Sequence, residues 1–386
     1  MRCDVLVAGA SPAGIMAAIS AAEMGSTVVL LDKEMESFRH PANTLFEGMA
    51  SRAGLKVEDC YIRRSLDGMR IISPGGNAVT ISGKGYFLER EKFDNFYLDM
   101  AEDRGAILLK GEARDTRDEN GRRSVTIGDE SIDAGVVIDA SGIGSIIASR
   151  AGLSPMRHPE DIAWAMEAVV KHPSLGDEDL FEYWIGSISP GWKATFSPGG
   201  GDTATLGVFV RGHGQNVQPF FRDFLKLFKR YKSAAYPGIE EMKILSMRRG
   251  GDPIATLPGE MVSDRLMIAG GAAGQSGLAY SMRAGAICGK VASEAVAAGD
   301  TSKAYLSRYK RLWRSEFYME YLTARACLET LCNMSDRDLD QLVKGLGGKN
   351  LLTSGSFYKK LICAGTMTAL AKPGAIPALM RNMITG

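Results

Sequence analysis

"VAGASPAGIMAAISAAEMG", residues 7–25, decides the fold. It closes a short apolar run, Asp4-Val5-Leu6-Val7-Ala8-Gly9, and continues as an alanine-rich stretch from Ile15 to Met24; a second apolar run, Thr27 to Leu31, then ends at Asp32. That order reads as strand, helix, strand. Gly9 permits the tight turn out of the first strand and Gly14 permits close packing of helix on strand, with Pro12 and Ala13 between. The helix N-terminus then offers unpaired backbone N–H groups to a pyrophosphate. Ser11 stands where such a loop usually carries its second glycine. Serine is small enough for a phosphate to approach, although it constrains the backbone more than glycine does. An acid closing the second strand accepts hydrogen bonds from a ribose, and Asp32, followed by Lys33, fits that place. With one position altered, the same spelling also fits a plain strand-to-helix turn that holds no ligand.

Two distant segments repeat the pattern. Residues 122–142, "RRSVTIGDESIDAGVVIDASG", alternate like a hairpin and then give a buried strand, Val136 to Ala140, ending at Ser141-Gly142. "DRLMIAGGAAG", residues 264–274, runs from strand to glycines and into a helix around Leu278 to Ala298. The expected fold class is α/β, with one Rossmann-like nucleotide-binding sheet assembled from residues 1–60, 86–153 and 246–300. Strand-like runs at Ile162 to Val170, Leu180 to Ile188, Ala194 to Phe196 and Thr203 to Val210, with the turn "SPGGGDT", make 61–85 and 154–245 an inserted antiparallel-sheet domain. Residues 301–386 read as a C-terminal helical region.

Composition narrows the function classes. The 386 residues are 45% hydrophobic and 24% charged with a formal net charge of +1, which supports a large core and gives no overall polyanion-binding field, so nucleic acid is not expected. Cys3, Cys60, Cys288, Cys327, Cys332 and Cys363 lack CxxC spacing, which suggests reduced thiols in a cytoplasm. His40, His158, His172 and His213 are scattered without metal spacing, so no metal is expected. The first apolar run lacks a basic leader and no apolar stretch reaches eighteen residues, so neither a signal peptide nor a membrane span is expected. In "QPFFRDFLKLFKRYKSAAYPG", residues 218–238, Phe221, Phe224, Leu225 and Phe228 share one helical side, with Lys226, Lys229, Arg230 and Lys232 largely elsewhere. Such a helix either lies on an anionic bilayer or packs on its own domain.

Taken in order, "GASPAG", "FEGMAS" (46–51), "YFLEREKFD", "EYWIGSISPGWKATF" (182–196), "GGAAGQSG" and "MSDRDLDQLV" (334–343) resemble the hydroxylase-like FAD superfamily, and within it the geranylgeranyl reductase family. The resemblance implies a glutathione-reductase-like FAD-binding domain of the hydroxylase type, a substrate sheet over the flavin, and reduction of prenyl double bonds. It places Gly9, Ser11, Gly14 and Asp32 on the ADP half of FAD, Arg90 and Gly270 near the ribityl and phosphate groups, and Glu47 and Gly48 beside the isoalloxazine ring. On the same resemblance Gly142, Gly271 and Gly277, with Pro12, Ala13 and Lys33, complete the expected cofactor contacts. A separate NAD(P) domain is not expected, so electrons come from a transiently bound nicotinamide or from a ferredoxin.

Departures from the family pattern cluster around one pocket. The late "GDA" signature reads Gly270-Gly271-Ala272, which removes the carboxylate that usually binds the ribityl chain. The next loop, Gln275-Ser276-Gly277, reaches its helix early, and Leu45 replaces the loop cysteine. The YxWxFP motif appears as Trp192-Lys193-Ala194-Thr195-Phe196-Ser197. Trp184, Trp192, Ala194 and Phe196, with Tyr183, are expected to line a channel for a hydrophobic, prenyl-type or lipid substrate. Glu47, Tyr280 and Arg283 are candidate proton donors by motif position. Two rival readings stand beside the reductase: a monooxygenase or halogenase of the same superfamily, and a non-redox protein that keeps the fold to bind a ligand or partner. The expected location is cytoplasmic, with peripheral contact to a membrane surface.

Overall fold

Valine, leucine and isoleucine runs with no polar alternation need cover on both faces, and they receive it here. The computed structural model describes residues 1–35, 42–254, 256–347, 377 and 379–382. In chain order it gives β1 (Arg2–Ala8), α1 (Pro12–Glu23), β2 (Val28–Asp32), β3 (Thr44–Phe46) and α2 (Glu47–Arg52). β4 (Ile62–Ile72) and β5 (Ala78–Leu88) form a hairpin, followed by α3 (Arg90–Asp103), β6 (Ile107–Lys110), β7 (Ala113–Glu119), β8 (Arg122–Ile127) and β9 (Glu130–Asp139). Next come α4 (Ile146–Arg150), β10 (Ala163–Lys171), β11 (Leu180–Trp184), β12 (Lys193–Pro198), β13 (Thr203–Val210), α5 (Gln218–Lys232) and β14 (Lys243–Asp252). β15 (Val262–Ser263), β16 (Leu266–Ile268), α6 (Leu278–Ala297), α7 (Lys303–Cys332) and α8 (Asp336–Leu346) follow.

The first sheet has the order β15-β16-β9-β1-β2-β6, with β7 and β8 extending β9 as an antiparallel flap. β1 runs parallel to β2 and β9, and β16 runs parallel to β9. The three strand-to-glycine segments found in the sequence therefore lie side by side, and all release their loops at the same sheet edge. Helices α1 and α6 cross at very short range. A Cβ on Gly285 would lie 1.9 Å from the Ala13 carbonyl oxygen, and one on Gly289 would lie 2.1 Å from that of Ala17. Two glycines four apart on α6 thus let its backbone touch α1, which fixes the loop at the start of α1.

The second sheet has the order β14-β10-β13-β12-β11-β4-β5-β3. β14 pairs with β10 along its whole length, and β3 pairs with β5 through Phe87. The boundaries expected at residues 246 and 86 therefore fall inside strands of this sheet. "KILSMRRGGD" lacks the apolar alternation that announces an internal strand, because β14 is an edge strand exposed over most of its length.

Alternation sorts the residues of this sheet onto two faces. Met166, Val170, Trp184, Ala194, Phe196 and Leu206 point outward into a core closed by Phe221, Phe224 and Phe228 of α5. Trp184 meets Phe224 with ring centroids 5.7 Å apart, and Phe196 meets Phe228 at 5.2 Å. The apolar side of α5 is thus spent inside the protein, which decides between the two readings of that helix in favour of packing on its own domain. The place of Lys232 is corrected. It is 4% exposed, and its ammonium lies 2.6 Å from Glu178 and 2.8 Å from the fully buried Glu182.

"MSDRDLDQLV" explains how the C-terminal region is attached. Ser335 caps α8 by a reciprocal box with Asp338, and two acids one turn apart reach the second sheet. Asp336 accepts from the Ser187 amide at 2.9 Å, and Asp340 accepts from Ser73 Oγ and the Gly75 amide, both at 2.6 Å. Among the described residues no helix is long and apolar enough to cross a membrane.

Candidate cofactor and active site

Gly9 leaves β1 at φ +103°, and a Cβ there would lie 2.6 Å from the Ala140 carbonyl oxygen. Backbone meets backbone at that point, so only glycine fits. Gly14 is equally constrained, since its Cβ would lie 1.9 Å from the Gly9 carbonyl oxygen. Ser11 has φ −65° and ψ 164°, an extended conformation open to any residue, and its Oγ accepts from the Gly14 amide at 3.3 Å as the N-cap of α1. The loop therefore has no conformational need for a glycine at position 11, and serine adds a cap.

Asp32 ends β2 facing this loop, with one carboxylate oxygen accepting from the Ala10 amide at 2.7 Å and the other from the Glu34 amide at 2.7 Å. Gly9, Asp32 and Lys33 line a cavity of about 150 Å³. Its far wall comprises Gly111, Glu112 and Ala113 after β6, with Ser141 and Gly144 after β9. Those residues were missed in the sequence, where "LLKGEA" reads as an ordinary turn. Asp139, fully buried, holds the β9 loop by accepting from Ser141 Oγ at 2.6 Å and from Ser145 Oγ. Burial pushes its carboxyl up, and the serine hydrogen bonds work against that shift.

The third loop closes the site. A Cβ on Gly270 would lie 2.7 Å from Ala13 Cβ and 4.0 Å from Ser11 Oγ, so the β16 loop sits directly against the start of α1. Beside it, a Cβ on Gly271 would meet only Gly142 Cα at 3.8 Å. The Gln275 side chain is buried, accepts from the Gly270 amide at 2.7 Å and donates to the Tyr309 hydroxyl at 2.8 Å. That brace ties the β16 loop to α7. Gly277 sits 3.9 Å, measured from its Cβ position, from Met49 of α2, so Glu47 and Gly48 approach the start of α6.

The remaining expected residues divide. Glu47 accepts from the Tyr86 hydroxyl, and Tyr280 packs on Phe317 at 5.5 Å, its phenol pushed up to about 12 by burial and by Glu320. Arg283 is committed to Glu316 of α7 at 2.8 Å. Arg90 donates to Asp94 at 2.8 Å and to the Ala42 carbonyl at 2.9 Å, and lines a second cavity of about 230 Å³ rather than the one around Gly9. Leu45 is buried in the first core, where a thiol would have no access to solvent. Trp184, Ala194 and Phe196 face α5, so the expected aromatic strand face splits: adjacent residues Tyr183 and Trp184 point to opposite sides.

The inner face instead carries Tyr183, Lys193, Thr195 and Glu167. It looks toward β3, whose Thr44 Oγ1 lies 2.6 Å from Ser197 Oγ, and toward the α6 loop, whose Ser276 donates to Asp252 at 2.5 Å. Burial raises the Asp252 carboxyl, and Lys193 opposes the shift. The Trp192 indole nitrogen is close enough to assist Lys193 there, yet it is buried without a hydrogen bond of ordinary geometry. His158, Glu160 and Asp161 bring ligand atoms within 4.8 Å of one another, but Asp161 is held by Arg211 at 3.2 Å and Arg325 at 3.0 Å. His40 and Cys363 lie outside the described residues.

A glycine loop, a strand-ending acid and two further strand-end loops on one parallel sheet, together with a second sheet, define the architecture of an FAD-dependent oxidoreductase. The profile of the FAD dependent oxidoreductases matches residues 4–160. Over 381 residues the chain is 31% identical to digeranylgeranylglycerophospholipid reductase 1 of Methanothermobacter thermautotrophicus, covering 93% of this chain and 94% of that relative. Its fold matches a geranylgeranyl bacteriochlorophyll reductase-like crystal structure from Thermoplasma acidophilum with a TM-score of 0.86 at 24% identity, covering 99% of each chain. A flavin-dependent brominase matches at a TM-score of 0.68 and 17% identity, covering 100% of this chain and 98% of that one. The chain belongs to the geranylgeranyl reductase family of FAD-dependent oxidoreductases. FAD is its cofactor, and the glycine cradle at Gly9, Gly14 and Gly270 with the cavity at Asp32 fits the ADP half of that group.

Proposed function

We propose that this enzyme reduces carbon–carbon double bonds in the prenyl chains of an isoprenoid lipid. The observation that carries the reading is the extent of the similarity. It spans 93% of the chain and so includes the second sheet, where a substrate is selected, as well as the nucleotide-binding half. Reduced FAD supplies a hydride when bound. This chain's residues hold and orient. Gly9, Ser11, Pro12, Ala13 and Gly14 present the α1 N-terminus to the pyrophosphate, Asp32 and Lys33 meet the ribose, and Gly142, Gly270, Gly271 and Gly277 give backbone room along the rest of the cofactor. Glu47 and Gly48 border the ring end, and Arg90 braces the segment at Ala42. The inner face of the second sheet excludes water and lines the substrate path, with Trp192 as the member of the expected aromatic set that supports this role. Tyr280, packed on Phe317, walls the start of α6, and burial makes its phenol a weaker acid than a free tyrosine.

Electrons enter from a ferredoxin or from NAD(P)H. The enzyme works in the cytoplasm, in peripheral contact with the membrane that contains its substrate, through a surface other than the apolar side of α5. The test is product analysis. Dithionite-reduced protein is incubated under argon with a geranylgeranylated phospholipid, and mass spectrometry should show two hydrogens gained per double bond. Unchanged lipid, with rapid oxygen consumption on admitting air, would instead support the monooxygenase reading.

A further inference from the structure

Cross-strand register puts Tyr183, Thr195, Gly207, Glu167 and Arg248 in one row across the inner face of the second sheet. A residue without a side chain sits in the middle of that row. A Cβ on Gly207 would lie 2.8 Å from Thr195 Oγ1 and 3.1 Å from both Glu167 Cγ and Phe209 Cε2. Glu167 therefore lies across Gly207 toward β12 instead of standing off its own strand. Its carboxyl takes part in no hydrogen bond or ion pair among the described residues, and it lines the 230 Å³ cavity that also reaches Asn43 and Arg90. A half-buried acid without a hydrogen-bond partner is costly unless it is neutral, and such an acid facing a cavity is a functional candidate.

The surrounding charges are fixed. Lys193, one row further along and opposite Phe209, has its ammonium 4.5 Å from the Tyr183 ring, 5.0 Å from Phe209 and 5.1 Å from Trp192. It also reaches the Tyr183 hydroxyl at 3.3 Å. Three rings hold the cation in place. Burial raises the Glu167 carboxyl to about 6, with Lys193 and Arg248 pulling it down and Asp252 pushing it up. Arg63, Arg90, Glu89 and Glu91 face the same cavity, and Arg90 is committed to Asp94 and Ala42. Of the acids near the cofactor loops, Glu47 is tied to the Tyr86 hydroxyl and Asp252 to Ser276.

We propose that Glu167 is the proton donor of the reduction, positioned by the gap at Gly207 and served by Lys193. The assignment rests on the proposed double-bond reduction. One alkene carbon accepts a hydride, with both electrons, from the reduced cofactor as the π bond breaks. The other carbon accepts the Glu167 proton, and the product gains two C–H bonds. The carboxylate left behind faces Lys193 and Arg248 and is reprotonated from water.

The test uses the holoenzyme, reduced by dithionite under argon, with a geranylgeranylated phospholipid. Glu167→Gln keeps the shape and removes the acid, so single-turnover reduction should fall about 100-fold or more. FAD content, melting temperature and the rate of cofactor reduction should not change, and Glu167→Asp should recover part of the rate. The wild-type rate should fall as pH rises through about 6, and the residual Gln rate should be flat. Independently of turnover, oxidised holoprotein carrying carbon-13 glutamate should show one carboxyl titrating near 6 that is missing in Glu167→Gln. A Gln variant within about threefold of wild type, or the absence of that carboxyl, overturns this assignment alone. A wild-type enzyme that leaves the lipid unsaturated overturns the proposed function with it.

Discussion

Restoring a carboxylate at position 271 should tighten FAD binding. The resemblance of Gly270-Gly271-Ala272 to the family's GDA signature puts Gly271 in the place of its aspartate, and two observations say that an aspartate fits there. Gly271 is absent from the positive-φ residues, so a side chain imposes no backbone strain, and its Cβ would touch only Gly142 Cα at 3.8 Å. Hydrogen bonds to a charged acceptor contribute ~1.5–3 kcal/mol when buried. Position 271 is half-buried, which argues for the lower end, or a gain of about tenfold in affinity. Replacing glycine also reduces the freedom of the unfolded chain, so the melting temperature should hold or rise slightly. The assay is titration of apoprotein with FAD, read by quenching of flavin fluorescence, for wild type and Gly271→Asp. Affinity that is unchanged or weaker in a variant of normal melting temperature would refute the placement of Gly271 beside the cofactor.

Trp184→Ala should cost roughly 3–5 kcal/mol of stability by opening the core under α5, while the folded fraction keeps its kcat/KM on lipid; a raised KM at normal stability would return Trp184 to the substrate path. Lys232→Met leaves the buried Glu182 with Arg70, 3.5 Å away, as its remaining cation, so a loss toward the lower end of about 3–5 kcal/mol is expected in denaturant melts. Burial already raises the Glu182 carboxyl, so the deficit should shrink as pH falls and the carboxyl takes up a proton. Adding Glu182→Gln should recover much of the loss. If the single variant melts like wild type at neutral pH, the ion cluster does not hold α5 to the sheet.

The nucleotide-binding half was legible because its constraints are local. A tight turn, a close helix approach and a strand-ending acid each leave a residue at fixed spacing, as Gly9, Gly14 and Asp32 do. Ser11 looked like a defect only because the expected glycine is written into the pattern; the chain needs an N-cap there, and serine supplies it. Longer-range features left no such spacing. Gly111 and Ala113 join the cavity through the pairing of β2 with β6, which no local pattern encodes. Aromatic residues fall on both faces of β11, so type alone could not separate Tyr183 from Trp184. Lys232 resembles its exposed neighbours Lys226 and Arg230 in sequence, and only the packing of α5 against Glu178 and Glu182 distinguishes it. Glu167, in a strand of alanines and valines, becomes notable only when register sets it beside Gly207.

On the proposed function, this chain holds FAD in a site where the reduced cofactor reacts with a prenyl double bond in preference to oxygen. Anaerobic stopped-flow mixing of reduced holoenzyme with a geranylgeranylated phospholipid, followed at the visible flavin bands, tests it directly. The bands should return with the lipid in a single phase, faster than on mixing with air, and the recovered lipid should carry two added hydrogens per double bond. A colourless protein that FAD cannot reconstitute, or bands that return with air and not with lipid, would contradict the claim.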